Sequence, residues 1–174
     1  HADVVNLSFV NSPSDVLQLF SELKKRKVKS GLGVILKIET QRGFNNLTEI
    51  LLAGMQLFPI GVMIARGDLA VECGWRNIGW VQKEILSLCL AAHVTDIWAT
   101  QVLENMAKRG VPSRAEITDV VAAQQADCIM LNKGSFNLDT LKLLDGILKN
   151  LEQYREKNIS FSPALYEADL EFVE

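Results

Sequence analysis

Five short apolar runs alternate with amphipathic stretches along this chain, and that alternation restricts the fold more than any other feature. The runs are 3–9 (DVVNLSF), 33–39 (GVILKIE), 60–65 (IGVMIA), 94–98 (VTDIW) and 127–131 (DCIML). They have the length of buried strands and are too short for helices. Between them the apolar residues recur at helical spacing: Val16, Leu17, Leu19, Phe20 and Leu23; Leu47, Ile50 and Leu51; Val81, Ile85, Leu88 and Cys89. Strands alternating with helices predict an α/β fold with a parallel sheet covered by helices. In such folds ligands bind at the carboxyl ends of the strands. Asn11, Lys37, Glu39, Arg66, Asp68, Thr100 and Asn132 all fall at, or just after, those ends. The spacing therefore predicts one active edge.

The boundaries follow from local signals. Ser14 is expected to cap the first helix, with Lys24–Lys27 as a solvated helix end. A second helix is expected over 43–55, a loop over 73–80, and helices over 81–92 and 101–108. Ser113 and Glu116 form a capping box for the next helix, and a long helix follows over about 138–155. Residues 1–157 then make one body, and 158–174 an acidic, irregular tail.

At 174 residues the chain can bury one sizeable core. A net charge of −3 without a basic stripe argues against nucleic acid or an acidic membrane surface as partner. No apolar run approaches the roughly 18 residues of a membrane helix, and no leader of signal-peptide type is seen. Cys73, Cys89 and Cys128 are odd in number and lack metal-ligand spacing, which points to a reducing cytoplasm. Cys89 and Cys128 sit in apolar runs and are expected in the core.

The stretch GVMIARGDLAVE, 61–72, carries the chemistry. Its strand ends at Arg66-Gly67-Asp68, where a turn is expected to present the Asp68 carboxylate. Period-2 geometry places Lys37 and Glu39 on one face of the preceding strand. Parallel neighbours lie about 4.8 Å apart, so Glu39 and Asp68 can share one hard cation, Mg²⁺ or Mn²⁺. Lys37 then neutralises an anionic oxygen. Thr100 offers a hydroxyl beside a helix N-terminus, and the amides around Gly67 can receive a carboxylate or phosphate. Each residue also has a plainer reading: a Lys37–Glu39 ion pair, Asp68 and Thr100 as helix caps. Their gathering at one edge favours a site. Trp75 and Trp80 read as packing or interface residues, and His93 lies at the opposite edge.

Taken in order, SFVNSPSDV, LKIETQRGFNNLTEIL, GVMIARGDLAVE, WATQVLENM, PSRAEITDV and ADCIMLNKG resemble the second half of the catalytic barrel of the pyruvate kinase family, over residues 3–134. The resemblance implies a partial TIM (β/α)₈ barrel, its fourth to eighth βα units. It implies phosphoryl transfer from phosphoenolpyruvate to ADP in glycolysis, giving pyruvate and ATP. By the same resemblance Lys37 stabilises the transferring phosphoryl group and the enolate, and Glu39 and Asp68 ligate the divalent ion. By it too the backbone of Ala65, Arg66 and Gly67 helps hold the substrate carboxylate, and Thr100 binds it near the protonated carbon. The K⁺ ligands of the family fall in units this chain does not match.

The chain departs from the family at two places. Asn11 stands where an arginine is usual, and Asn132-Lys133-Gly134 replaces the usual Ser-Gly-Glu-Thr. A barrel takes roughly 250 residues, so the chain is expected to belong to a longer polypeptide or to associate with another copy, and to be inactive alone. Two other readings are a metal-dependent pyruvate or phosphoenolpyruvate aldolase or lyase, and a non-catalytic half-barrel.

Overall fold

The computed structural model describes residues 2–28, 31–56 and 58–170, with side chains as far as Arg155. The chain divides into two compact units, residues 1–102 with 125–132, and residues 103–124 with 133–174.

The first unit is a five-stranded parallel sheet of β1 (Val4–Leu7), β2 (Gly33–Ile38), β3 (Ile60–Ala65), β4 (Thr95–Val102) and β5 (Cys128–Leu131), in that spatial order. Its helices are α1 (Pro13–Lys25), α2 (Gln41–Asn45), α3 (Leu47–Gly54), α4 (Arg66–Cys73) and α5 (Ile78–Ala92). Parallel crossovers are right-handed. With strands laid down in sequential order, they put successive helices on one face. That is the barrel arrangement, in contrast to doubly wound sheets, where the order reverses.

Burial follows the pleat. In β2, Val34, Leu36 and Ile38 are fully buried, while Gly33, Ile35 and Lys37 are half-buried. Register carries this face across the sheet: Leu36 lies beside Val62, and Ile38 beside Ile64, which lies beside Trp98. Val16 and Phe20 of α1, Leu47 and Ile50 of α3, Leu69 of α4, and Val81 and Ile85 of α5 complete the core. Each such side chain contributes about 1.5–3 kcal/mol by leaving water.

Several boundaries differ from those expected. The first helix is capped by Ser12, not Ser14, with Pro13 at its first position; the Asp15 carboxylate accepts the Ser12 N–H at 2.8 Å. The stretch 43–55 is two helices. Thr40 caps the first by accepting the Gly43 N–H at 3.0 Å, and the break falls at Asn46, whose amide is tied to the Asn11 carbonyl. Arg66-Gly67-Asp68 is the first turn of α4, not a loop. Gly67 is helical, and Leu69, Ala70 and Cys73 form the buried face that drives the helix. Helix α5 begins at Ile78, inside the expected 73–80 loop. Strand β4 runs on to Val102, with its pairing irregular between Trp98 and Val102, so no helix starts at 101. Cys128 is exposed, because β5 has a paired neighbour on one side only.

The second unit comprises α6 (Glu104–Arg109), α7 (Arg114–Ala123) and α8 (Asn137–Leu170). The Ser113–Glu116 capping box forms as expected. Glu116, almost fully buried, accepts the Ser113 N–H at 2.7 Å and the Asn105 N–H at 2.5 Å, which ties the start of α7 to α6. Gly134 is required here: a Cβ would strike the Ala107 carbonyl. The backbone of α8 stays helical through 157 to Leu170, so 158–170 is not irregular. Residues 171–174 of the expected tail lie outside the described residues. Among the described residues no helix is long and apolar enough to cross a membrane.

Candidate active site

Strands β2 and β3 pair in parallel with Lys37 beside Met63, and β3 pairs with β4 so that Ala65 lies beside Ala99. Their carboxyl ends therefore stand at one level. Lys37, Glu39, Ala65, Gly67, Asp68 and Thr100 line a single cleft of about 160 Å³ there, together with Met63 and Met130. Of the residues expected at the active edge, Asn11, Arg66 and Asn132 are absent from its walls.

Lys37 and Glu39 share a face, as the strand period requires, and they touch: Lys37 Nζ lies 3.0 Å from Glu39 Oε1. The Glu39 side chain is 3% exposed and that of Lys37 24%. The same Oε1 accepts the Phe9 N–H at 3.0 Å. Lys37 Nζ also donates to Ser8 Oγ at 3.2 Å. A buried carboxylate needs such partners in place of the water it loses. Both contacts come from the segment just after β1. Sequence reasoning missed Ser8 and Phe9, although a serine ending an apolar strand at the active edge was a usable signal.

Asp68 is exposed in the first turn of α4, where a negative charge is favoured by the helix dipole. The cap position of α4 is Ala65, and no side chain caps this helix. The N–H groups of its first turn therefore lack the usual internal acceptor. Thr100 lies beside this helix start: a Cβ added at Gly67 would sit 3.9 Å from Thr100 Oγ1. The helix N-terminus near Thr100 is thus that of α4. The helix expected directly after Thr100 begins only at Glu104.

Arg66 turns away from the cleft. Its guanidinium lies 4.6 Å from the centroid of the buried Trp98 ring, a cation–π contact. Its Nε donates to the Ala99 carbonyl at 3.0 Å, and Nη2 donates to the Thr100 carbonyl. Arg66 thereby holds the backbone that carries Thr100. Asn132 Oδ1 accepts the Gln101 N–H at 3.1 Å and joins the ends of β4 and β5. Trp75 and Trp80 are exposed, the latter edge-on to Phe44.

At the amino ends of β4 and β5, Asp96 and Asp127 each accept the other's backbone N–H, at 3.1 and 3.2 Å. Burial raises the Asp96 carboxyl above its usual range, and the Asp127 charge adds to this against the hydrogen bond from Asp127. The clasp fixes register at the edge away from the cleft.

Comparison with known proteins gives the family. The chain is 38% identical over 160 residues to pyruvate kinase of Thermococcus litoralis, covering 88% of this chain and 32% of that protein. It is 35% identical over 161 residues to that of Methanocaldococcus jannaschii, covering 89% and 34%. It is 39% identical over 158 residues to that of Encephalitozoon cuniculi, covering 87% and 35%. The chain thus spans about a third of the length of the curated relatives it matches. Residues 1–138 match the family model described as pyruvate kinase, barrel domain. With five parallel βα-connected strands in sequential order and that match over most of its length, the chain belongs to the pyruvate kinase barrel-domain family.

Proposed function

We propose that this chain supplies the core of a pyruvate kinase-type site, which moves a phosphoryl group between phosphoenolpyruvate and ADP. The observation that carries the reading is the convergence of Lys37, Glu39, Asp68 and Thr100, from three strand ends, on one cleft.

The donor set fits a divalent cation. Glu39 and Asp68 are hard oxygen donors, and Mg²⁺ or Mn²⁺ takes few protein ligands, completing its shell with water and substrate oxygens. Among the described residues no group of three or more His, Cys, Asp or Glu gathers, so a cation demanding a full protein cage is not served. Glu39 Oε1 is taken by Phe9 and Lys37, and Oε2 accepts no hydrogen bond among the described residues. When bound, such a cation supplies charge neutralisation for phosphoryl and enolate oxygens.

The chain's own groups do the rest. Lys37 presents a compact positive charge to the oxygen that becomes anionic as the phosphoryl group leaves. The N–H groups of Gly67 and Asp68 at the start of α4, with the Thr100 hydroxyl, receive the three-carbon carboxylate. Arg66 holds the Ala99 and Thr100 carbonyls and so keeps the hydroxyl oriented. Five strands do not close an eight-stranded barrel, so the 174 residues are expected to bind metal without completing turnover.

The test is Mn²⁺ titration of the chain, read by electron paramagnetic resonance. One site is expected, weakened at least about 10-fold by Glu39→Gln and by Asp68→Asn. No binding, or binding indifferent to both substitutions, would refute the reading. ATP formation from phosphoenolpyruvate by the complete polypeptide separates it from an aldolase or lyase.

A further inference from the structure

We propose that Asn11 is the positioning residue of the Lys37–Glu39 pair: it staples the turn after β1, whose hydroxyl and N–H hold both charges, to the start of α2. The bearing of Asn11 on the metal rests on the function proposed above.

The turn is held in a conformation it would not keep unaided. Phe9 has φ 53°, a left-handed value disfavoured for a residue with a Cβ. It is also 56% exposed, so packing of its ring does not account for the conformation. A strained backbone persists only where its surroundings over-determine it. Here two side chains hold its backbone: Glu39 accepts the Phe9 N–H at 3.0 Å, and Asn11 takes the carbonyl. Asn11 Nδ2 donates to the Phe9 carbonyl at 2.8 Å, and Asn11 Oδ1 accepts the Thr40 hydroxyl. Thr40 is itself the cap of α2 and follows Glu39 directly. The carboxamide therefore bridges the residue that donates to Glu39 and the residue next to Glu39.

The backbone of Asn11 is anchored as well. Its N–H donates to Asp15 Oδ2 at 2.8 Å, and its carbonyl accepts from Asn46 Nδ2 at 2.8 Å. Val10, fully buried between these contacts, donates its N–H to the Lys37 carbonyl at 3.3 Å. Gly43 leaves room for this segment: a Cβ there would strike the Val10 carbonyl. With its frame fixed, the Asn11 side chain is the adjustable link that orients the Phe9 peptide. An asparagine supplies both functions from one planar group, a donor toward Phe9 and an acceptor for Thr40. An arginine at this position would have donors only. It could not accept the Thr40 hydroxyl.

The experiment uses the 174-residue chain with Asn11→Ala and the near-isosteric Asn11→Asp, which keeps the acceptor and loses the donor. Two readouts are taken: amide hydrogen exchange at Phe9, with the β2 amides as internal reference, and Mn²⁺ affinity. In both variants the Phe9 amide is expected to exchange at least 10-fold faster while Leu36 and Ile38 keep their wild-type protection. Mn²⁺ affinity is expected to fall about 10-fold at unchanged thermal midpoint, which a merely structural role would not produce. Wild-type protection of Phe9 in either variant would overturn the assignment. Mn²⁺ affinity unchanged in both variants would overturn its bearing on the pair. If the wild type takes up no Mn²⁺, the metal reading falls, and exchange at Phe9 still decides whether Asn11 holds the turn.

Discussion

Removing the ammonium from beside Glu39 is the sharpest perturbation the site offers. Lys37→Met keeps most of the side-chain volume and leaves a carboxylate whose side chain is 3% exposed without its counter-charge. Deleting one partner of a fully buried pair costs about 3–5 kcal/mol. The 24% exposure of Lys37 admits some water to the pair, and the Phe9 N–H remains as a donor. The expected cost is therefore at or below the lower end of that range, about 2–3 kcal/mol. Glu39→Gln leaves an ammonium that can reach solvent and is expected to cost about 1 kcal/mol. The double variant removes the stranded charge and should be more stable than Lys37→Met alone, with a coupling above about 1.5 kcal/mol. All three tryptophans, Trp75, Trp80 and Trp98, lie in the first unit. Urea unfolding followed by tryptophan fluorescence thus reports on the unit that holds the pair. With m near 1–3 kcal/mol/M, the midpoint should fall by about 1 M. A loss below about 0.5 kcal/mol, or strict additivity in the cycle, would show that water already solvates Glu39, and the reasoning would fail.

Other outcomes follow from the same structure. Burial works to raise the Glu116 carboxyl, but the hydrogen bonds from Ser113 and Asn105 outweigh it and hold the group below its usual range. Its contribution is therefore present above the unfolded value, near 4.3, and is lost as pH falls through the depressed folded value. Glu116→Gln should cost about 1–2 kcal/mol at pH 7 and converge with the wild type in acid, read by far-ultraviolet circular dichroism. Asp96 has the opposite sign. Its raised carboxyl contributes stability that is complete below the unfolded value, about 3.9, and lost as pH rises through the folded one. Asp96→Asn, which retains the acceptor for the Asp127 N–H, should stabilise the chain at pH 7, with the gain vanishing in acid. Burial, with the Asp96 and Asp127 charges, pushes the Cys89 thiol up to about 12, and burial also raises Cys73. Native chain at pH 8 should show one fast thiol with Ellman's reagent, Cys128; rapid reaction of all three would contradict the packing of α4 and α5.

The βα alternation, the parallel order and the active edge were legible because strand period and helix period are local properties of the chain. Lys37 and Glu39 were assigned to a common face by that period alone, and the 3.0 Å contact bears it out. The errors share a cause. Helix α4 lacks a capping residue, since its cap position is Ala65, and so 66–73 carried no start signal. Asn46 breaks a continuous helical pattern because its amide is spent on a carbonyl 35 residues earlier. Cys128 sits in an apolar run yet is exposed, since burial there depends on what lies beyond an edge strand.

What the amino-acid order determined by itself was periodicity: which segments are strands, which face each side chain takes, and which polar residues stand at the strand ends. What only the tertiary structure decided was how those ends are held. The Phe9 N–H on Glu39, the Asn11 carboxamide between two loops and the Arg66 grip on the Thr100 backbone all join residues about 30 positions apart. A hydrogen bond across such a distance depends on the registers of whole strands, and no local pattern in the chain encodes it.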